Sequence, residues 1–527
     1  MRLSSFLNLS SRLLYSHPLS PLPPILLRPQ FSFRMASSQA QDFGLKDPSL
    51  IKFQGLIGGK WVDAKSGEKI SVINPATNEE LGTIPEMGLA ETQEAIDAAA
   101  AAFPSWSRTT AKQRHDIIVR FFQLMQQHHE DLGRLITLEN GKPIAEAKAE
   151  NAYSASFIEW FAEEAVRTYG EHIPSPIPGS RNVVIKQPVG VVSIFTPWNF
   201  PSAMITRKLG AALAAGCTTV IKPPPETPFS ALALAELARR AGVPDGVINM
   251  VTTFKNVSEV GKEMCQNKII KKVSFTGSTN VAKLLYGLSS TTLKKVSLEA
   301  GGNAPFIVFD DANIDEAVEA ALICKFRGSG QTCVCANRIY VQSSVYADFA
   351  SHLADRVTKF KIGNGLEDGV THGPLIHARA VEKVIRHVKD AVSKGAQVLV
   401  GGKHIPGTSF YYPTVLSDVT ADALLNNEET FGPLAALTKF ETEEEVIKLA
   451  NDTDVGLAGY FFSRDIGRVW RVAERLEVGM VGTNTGVISQ AVIPFGGIKE
   501  SGLGREGSHG IEEYLNTKLI VFGGIGA

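Results

Sequence analysis

The stretch from Phe326 to Asn337 reads Phe-Arg-Gly-Ser-Gly-Gln-Thr-Cys-Val-Cys-Ala-Asn. It holds Cys333 and Cys335, two of only 5 cysteines in 527 residues, one residue apart and just after glycines that free the backbone. A thiol presented on such a turn is better suited to attack than to packing, and Cys333 reads as a nucleophile. A free thiol titrates near pH ~8.5, so Cys333 needs local help to become a thiolate. Attack on a carbonyl then calls for an oxyanion donor, a base and an electron acceptor, all supplied from elsewhere in the chain.

The chain has to be large enough to bring such groups together. At 527 residues it exceeds the size at which one hydrophobic core stops growing, which points to two or three domains. Apolar residues at 44% and charged residues at 20% are ordinary for a soluble globular protein. A net charge of -1 provides no basic field, so nucleic acid is not an expected partner. The odd, sparse cysteines fit a reducing compartment better than a disulfide framework. The longest apolar run bounded by lysines, Leu209 to Ile221, is too short to span a bilayer, which takes ~20 residues, and no membrane partner is expected.

Residues 1–41 follow other rules. Arg2, Arg12, Arg28 and Arg34 stand among serines and leucines with no acid before Asp42, the composition of a mitochondrial transit peptide leading to the matrix. A start at Met35 would instead yield a cytoplasmic form.

Leu56 to Val62 reads as short strands and turns, and Ile73 to Asn78 marks a further turn. Between Lys112 and Ile136, Ile117, Ile118, Phe121, Phe122 and Met125 keep the spacing of one helix face. From Val183 onward, β-branched runs alternate with alanine-rich helical stretches: Val191 to Phe195, Thr219 to Ile221 and Lys272 to Phe275 each precede one. A second alternating block runs from Ala304 to about Ala491. Alternation of this kind argues for crossover units around parallel sheets, an α/β fold.

Two glycine-rich stretches compete for a dinucleotide. Gly502-Leu503-Gly504-Arg505-Glu506-Gly507 matches G-x-G-x-x-G, but no strand is expected to lead into it and too little chain follows for a crossover and second strand. The better candidate is Val273 to Thr279. There a strand ends in Gly277, followed by Ser278 and Thr279, which can cap a helix whose free amides attract phosphate.

Five motifs now stand in one order: Thr196-Pro-Trp-Asn-Phe-Pro201, Phe275-Thr-Gly-Ser278, Leu298-Glu-Ala-Gly-Gly-Asn303, the Cys333 stretch, and Glu429-Thr-Phe-Gly-Pro433. Together they resemble the aldehyde dehydrogenase superfamily, from about Leu56 to the C-terminus. Ile205 to Lys208, Cys324 to Arg327 and Gln331 to Cys335 bring the chain nearest to members that act on succinic semialdehyde.

The resemblance implies NAD(P)-dependent oxidation of a small-molecule aldehyde through a thiohemiacetal and a thioester on Cys333. Asn199 aligns with the family's oxyanion donor and Glu299 with its general base. By itself Glu299 reads as a surface carboxylate at a turn. For NAD+ and/or NADP+, the resemblance implies Gly277 and Ser278 near the pyrophosphate, Trp198 and Lys222 toward the adenosine, and Glu429 with Phe431 around the nicotinamide ribose. NAD-preferring relatives usually carry a glutamate three residues after the lysine; here that position is Pro225 and the glutamate is Glu226, so NADP+ is expected to be accepted. Arg207, Arg327 and Ser489 match residues that bind the substrate's distal carboxylate, which an arginine holds through two parallel hydrogen bonds. Glutarate semialdehyde is the alternative substrate.

Cys335 either packs or closes a reversible disulfide with Cys333. No metal site is expected. The implied architecture is a Rossmann-type cofactor domain (42–169 and 188–300), a catalytic domain (301–500), and a β oligomerisation arm with C-terminal segment (170–187 and 501–527). In that arm Leu519 to Phe522 would pair as a strand across a subunit boundary of a homodimer or homotetramer. A cysteine hydrolase or acyltransferase would share the thioester, and a non-catalytic protein the fold; the absence of a histidine near Cys333 in sequence argues against the former.

Overall fold

The computed structural model describes residues 43–525, so the transit-peptide expectation lies outside the described residues. Two sheets dominate. The first has eight strands, and its centre runs Ile248–Met250, Thr218–Lys222, Val191–Phe195, Ile270–Thr276 and Lys295–Glu299, all parallel. Gly55–Ile57 and Lys60–Val62 close one edge antiparallel, and Gly502–Leu503 closes the other against Leu298 and Glu299. The second has seven strands, with Ala304–Val308 and Ala336–Gln342 parallel at its middle and Gln397–Val400 antiparallel at one edge. Valine and isoleucine fill the central strands because both faces are covered by helices, which removes any need to alternate with polar residues.

The Val191–Phe195 strand illustrates this: all five residues are buried. It feeds the Ala203–Ala215 helix, which is buried along its whole length, Arg207 and Lys208 included. The periodic stretch expected between Lys112 and Ile136 divides at His128 into two helices, Ala111–Gln127 and His129–Asn140. Ile118, Phe121 and Met125 bury its face, as the spacing predicts.

The C-terminal strand Leu515–Phe522 pairs antiparallel with Arg181–Pro188 of its own chain, in an unbroken register from Leu515 opposite Pro188 to Phe522 opposite Arg181. This pairing joins, within one chain, two segments that the sequence reading combined in one arm. The strand forms one edge of a three-stranded sheet, with Leu519 and Val521 each 59% exposed. Among the described residues no helix is long and apolar enough to cross a membrane, and no His/Cys/Asp/Glu group has metal-binding geometry.

Candidate active site

In the first sheet the strand order reverses between Val191–Phe195 and Ile270–Thr276, since successive strands lie to opposite sides of this pair. Open α/β sheets bind ligands beyond the carboxyl ends of strands at such a switch point. Thr196–Pro201, Lys222, Gly277–Ser278 and Glu299 all stand at those ends.

Lys222 ends its strand half-buried, with no hydrogen bond or ion pair to its ammonium among the described residues. Burial lowers its pKa while Glu226 and Glu86 oppose the shift. Ser278 occupies the N-cap of the Thr279–Ser290 helix but makes no capping bond, which leaves its hydroxyl exposed. Gly277 donates its N–H to the Glu299 carbonyl at 3.1 Å, so that amide is spent on the turn. Trp198 meets Phe431 edge to face at 5.5 Å, joining the first sheet's loop to the Glu429–Pro433 loop. Phe431 holds a left-handed φ of 53°, unusual for an aromatic residue. Glu429 accepts from the Gly302 N–H at 3.3 Å, and burial pushes its pKa up to about 7.

The loop that carries Cys333 is set by three successive left-handed residues, Gly328, Ser329 and Gly330. At Gly330 a side chain is impossible: a Cβ would lie 2.1 Å from the Gly432 carbonyl oxygen. The close approach ties this loop to the Glu429 loop. Ser329 donates to the Gly373 carbonyl at 2.8 Å, and Gln331 accepts from the Ile376 N–H at 3.0 Å. Asn199 donates one amide N–H to the Gln331 carbonyl at 3.1 Å, two residues from Cys333, and its Oδ1 is buried without a partner.

Cys333 keeps some accessible surface, yet its thiol is ringed by protein. Burial first, then the charge of Glu299 and a hydrogen bond to it, hold the thiol well above the ordinary range, with Arg207 opposing. No histidine figures among these groups. Because a neighbouring carboxylate disfavours the thiolate, removing its charge must lower the thiol's pKa. Glu299→Gln should therefore move the pH profile of Cys333 alkylation by iodoacetamide toward lower pH, and an unmoved or alkaline-shifted profile contradicts this electrostatic coupling.

Glu299 ends its strand opposite Thr276, whose hydroxyl donates to Oε2 at 3.0 Å. Oε1 is buried without a hydrogen bond. Behind it lies a network that the sequence reading missed. Lys208 donates to Thr276 Oγ1 at 2.6 Å and to Glu506. Arg207 Nε lies 2.8 Å from Glu506 Oε2, an ion pair without hydrogen-bond alignment, and Arg207 Nη1 lies 3.6 Å from Glu299 Oε2. The G-x-G-x-x-G stretch thus supplies the counter-charge for two buried cations. The findable signal was Arg207-Lys208 itself, a pair of cations inside an apolar helical run, which must meet an acid.

The two arginines singled out for the substrate differ. Arg207 is 2% exposed and partly neutralised by Glu506 and Glu299, with Nη2 buried and unbonded. The Arg327 guanidinium has no hydrogen bond or ion pair among the described residues and rests 5.5 Å from the Phe200 ring centre. It lines a cavity of about 410 Å³ together with Phe200, Tyr153, Ile323 and His372. Tyr153, also missed, hydrogen-bonds Ser489 and meets Phe157 edge to face at 4.9 Å, while Arg207 lies 5.2 Å from the Phe157 ring. Arg207, Arg327 and Ser489 are thereby gathered around one aromatic pair. Cys335 is 1% exposed and donates its thiol to the carbonyls of Gly330 and Lys325; both it and Cys333 are free thiols.

Residues 61–520 match the aldehyde dehydrogenase family, and the chain belongs to that family. It is 59% identical over 483 residues to glutarate-semialdehyde dehydrogenase of Pseudomonas aeruginosa, covering 91% of this chain and 100% of the relative. It is 58% identical over 481 residues to the NADP(+) succinate-semialdehyde dehydrogenase of Escherichia coli, covering 91% and 99%. A crystal structure of an NADP-dependent enzyme from E. coli superposes with a TM-score of 0.90 at 57% identity, covering 91% of this chain and 100% of that one.

Proposed function

We propose that the chain oxidises succinic semialdehyde to succinate with NAD+ and/or NADP+, with glutarate semialdehyde as the second reading. The observation that carries the substrate class is the unpaired Arg327 guanidinium in a cavity shared with Tyr153, the hydrogen-bond partner of Ser489. The guanidinium makes no direct ion pair in a cavity also lined by Glu146, Glu150 and Glu319, and an arginine left without one can take up a ligand carboxylate in a bidentate pair.

The reaction follows from the residues around Cys333. The Cys333 thiol first loses its proton to solvent; the thiolate then attacks the aldehyde carbon, and the developing oxyanion receives an N–H from the Asn199 amide and the backbone N–H of Cys333. A bound oxidised nicotinamide supplies the acceptor for the hydride that then leaves the carbon. The thioester left on Cys333 is cleaved by water whose proton goes to Glu299, held in place by Thr276. The cofactor fits the side chains on offer: among the described residues Lys222 makes no ion pair, Ser278 makes no capping bond, and Glu429 stands half-buried in the loop that carries Phe431. Pro225 in place of a repelling carboxylate supports acceptance of NADP+.

We take the first sheet as the cofactor-binding part, the second as the catalytic part, and the three-stranded sheet as the oligomerisation arm. Its exposed apolar strand supports a homodimer or homotetramer. The composition of residues 1–41 supports import into mitochondria. A reversible disulfide of Cys333 with Cys335 requires the latter to leave its two carbonyl partners.

A steady-state panel of succinic, glutaric and uncharged aldehydes, each run with both cofactors, tests the function. The expected result is the highest kcat/KM for succinic semialdehyde and measurable turnover with NADP+. Equal kcat/KM for an uncharged aldehyde of similar length overturns the substrate class, and strict NAD+ dependence overturns the cofactor reading.

A further inference from the structure

The helix Ile144–Ala165 touches several of the site's loops along one stripe. Glu146 accepts from the Gly328 N–H of the nucleophile loop at 3.0 Å. One turn on, Glu150 accepts from the Ser202 N–H at 3.0 Å, where the Ala203–Ala215 helix begins. Tyr153 follows with Ser489, and Phe157 lies beneath Arg207. These four positions recur at intervals of four, three and four, the spacing of a single helix face.

The start of this helix carries a second grip. Lys142, 5% exposed, donates to Glu150 Oε2 and to the Asn199 backbone carbonyl, each at 2.5 Å, and lies 3.7 Å from the Phe200 ring centre. Asn140 donates to the Trp198 carbonyl at 3.0 Å. The Asn199 side chain has just one hydrogen bond of its own, so its aim depends on where its backbone is held. A buried ion pair is weak as a stabiliser, because an apolar replacement of both partners is often neutral. Its retention at this contact asks for another reason.

We propose that Lys142 and Glu150 are positioning residues for the oxyanion site: the pair clamps both ends of the Asn199–Ser202 loop and thereby aims the Asn199 amide at the carbon under attack. The proposal rests on Asn199 being the oxyanion donor.

The test is a double-mutant cycle read by the single-turnover rate of reduced-nicotinamide formation, in the full-length enzyme with its cofactor. Lys142→Met alone leaves Glu150 uncompensated and should lower Tm, whereas Lys142→Met with Glu150→Gln should recover Tm without recovering the rate. The expected loss in the double variant is about tenfold or more, since misaiming a preorganised donor forfeits much of its effect. It should be equal for succinic semialdehyde and for an uncharged aldehyde, and it should vanish in an Asn199→Ala background. A loss that persists at full size in that background, or no loss at all, overturns the positioning role. If Asn199→Ala itself leaves the rate intact, the oxyanion reading falls and the proposal with it, which separates the two failures. Should the double variant not fold, Glu150→Gln alone, which keeps an oxygen for the Ser202 amide, takes its place in the same cycle with the same expectations.

Discussion

Glu299→Gln should complete one turnover and then nearly stop. The acylation half-reaction draws on Cys333 and Asn199, and glutamine keeps an oxygen that can accept from the Thr276 hydroxyl, so the first equivalent of reduced nicotinamide should still form. Release of the acid needs a base for water, and a positioned general base contributes roughly 10² to 10⁴ in rate. Steady-state turnover should fall by that order while a burst of one equivalent per site persists. Loss of the burst together with turnover would assign Glu299 to the first half-reaction instead.

The second large effect is expected at the far end of the substrate. Arg327→Ala removes a cation that makes no ion pair among the described residues, so no directly bonded carboxylate is stranded, although the buried Glu146 feels its charge. A hydrogen bond to a charged group contributes about 1.5–3 kcal/mol, which places the loss in kcat/KM for succinic semialdehyde at roughly tenfold to a hundredfold. It should be carried mainly by KM, and an uncharged aldehyde of similar length should lose far less. Arg207→Ala is a poorer probe, because it also takes away one of the two cations that Glu506 meets and disturbs Glu299. Equal losses on charged and uncharged aldehydes from Arg327→Ala would refute the clamp.

The contrast between the two arginines illustrates how much the sequence carried. The parallel strands were legible because β-branched runs buried on both faces leave an unmistakable local pattern, and the motif residues fall at their carboxyl ends for the same reason. The loop before Cys333 was legible because Gly328 and Gly330 mark a left-handed backbone, which at Gly330 a side chain would also obstruct. What stayed hidden depends on partners far apart in the chain. Lys208 meets Glu506 across 298 positions, and Glu506 sits in a stretch whose glycines pointed toward a different reading. The break at His128 lacks a glycine or proline to announce it, and the neighbouring Gln126, Gln127 and His129 continue a helical pattern. Glu146, Glu150 and Tyr153 look like an ordinary polar helix face until the loops they hold are seen.

The covalent role of Cys333 is tested most directly by peptide mass spectrometry of Glu299→Gln enzyme, quenched with acid after one turnover with succinic semialdehyde and NADP+. The predicted result is a succinyl group in thioester linkage on the peptide carrying Cys333, in an amount equal to the reduced nicotinamide formed and removable by hydroxylamine. Reduced nicotinamide formed over an unmodified Cys333, or the acyl group found on another residue, would contradict the account.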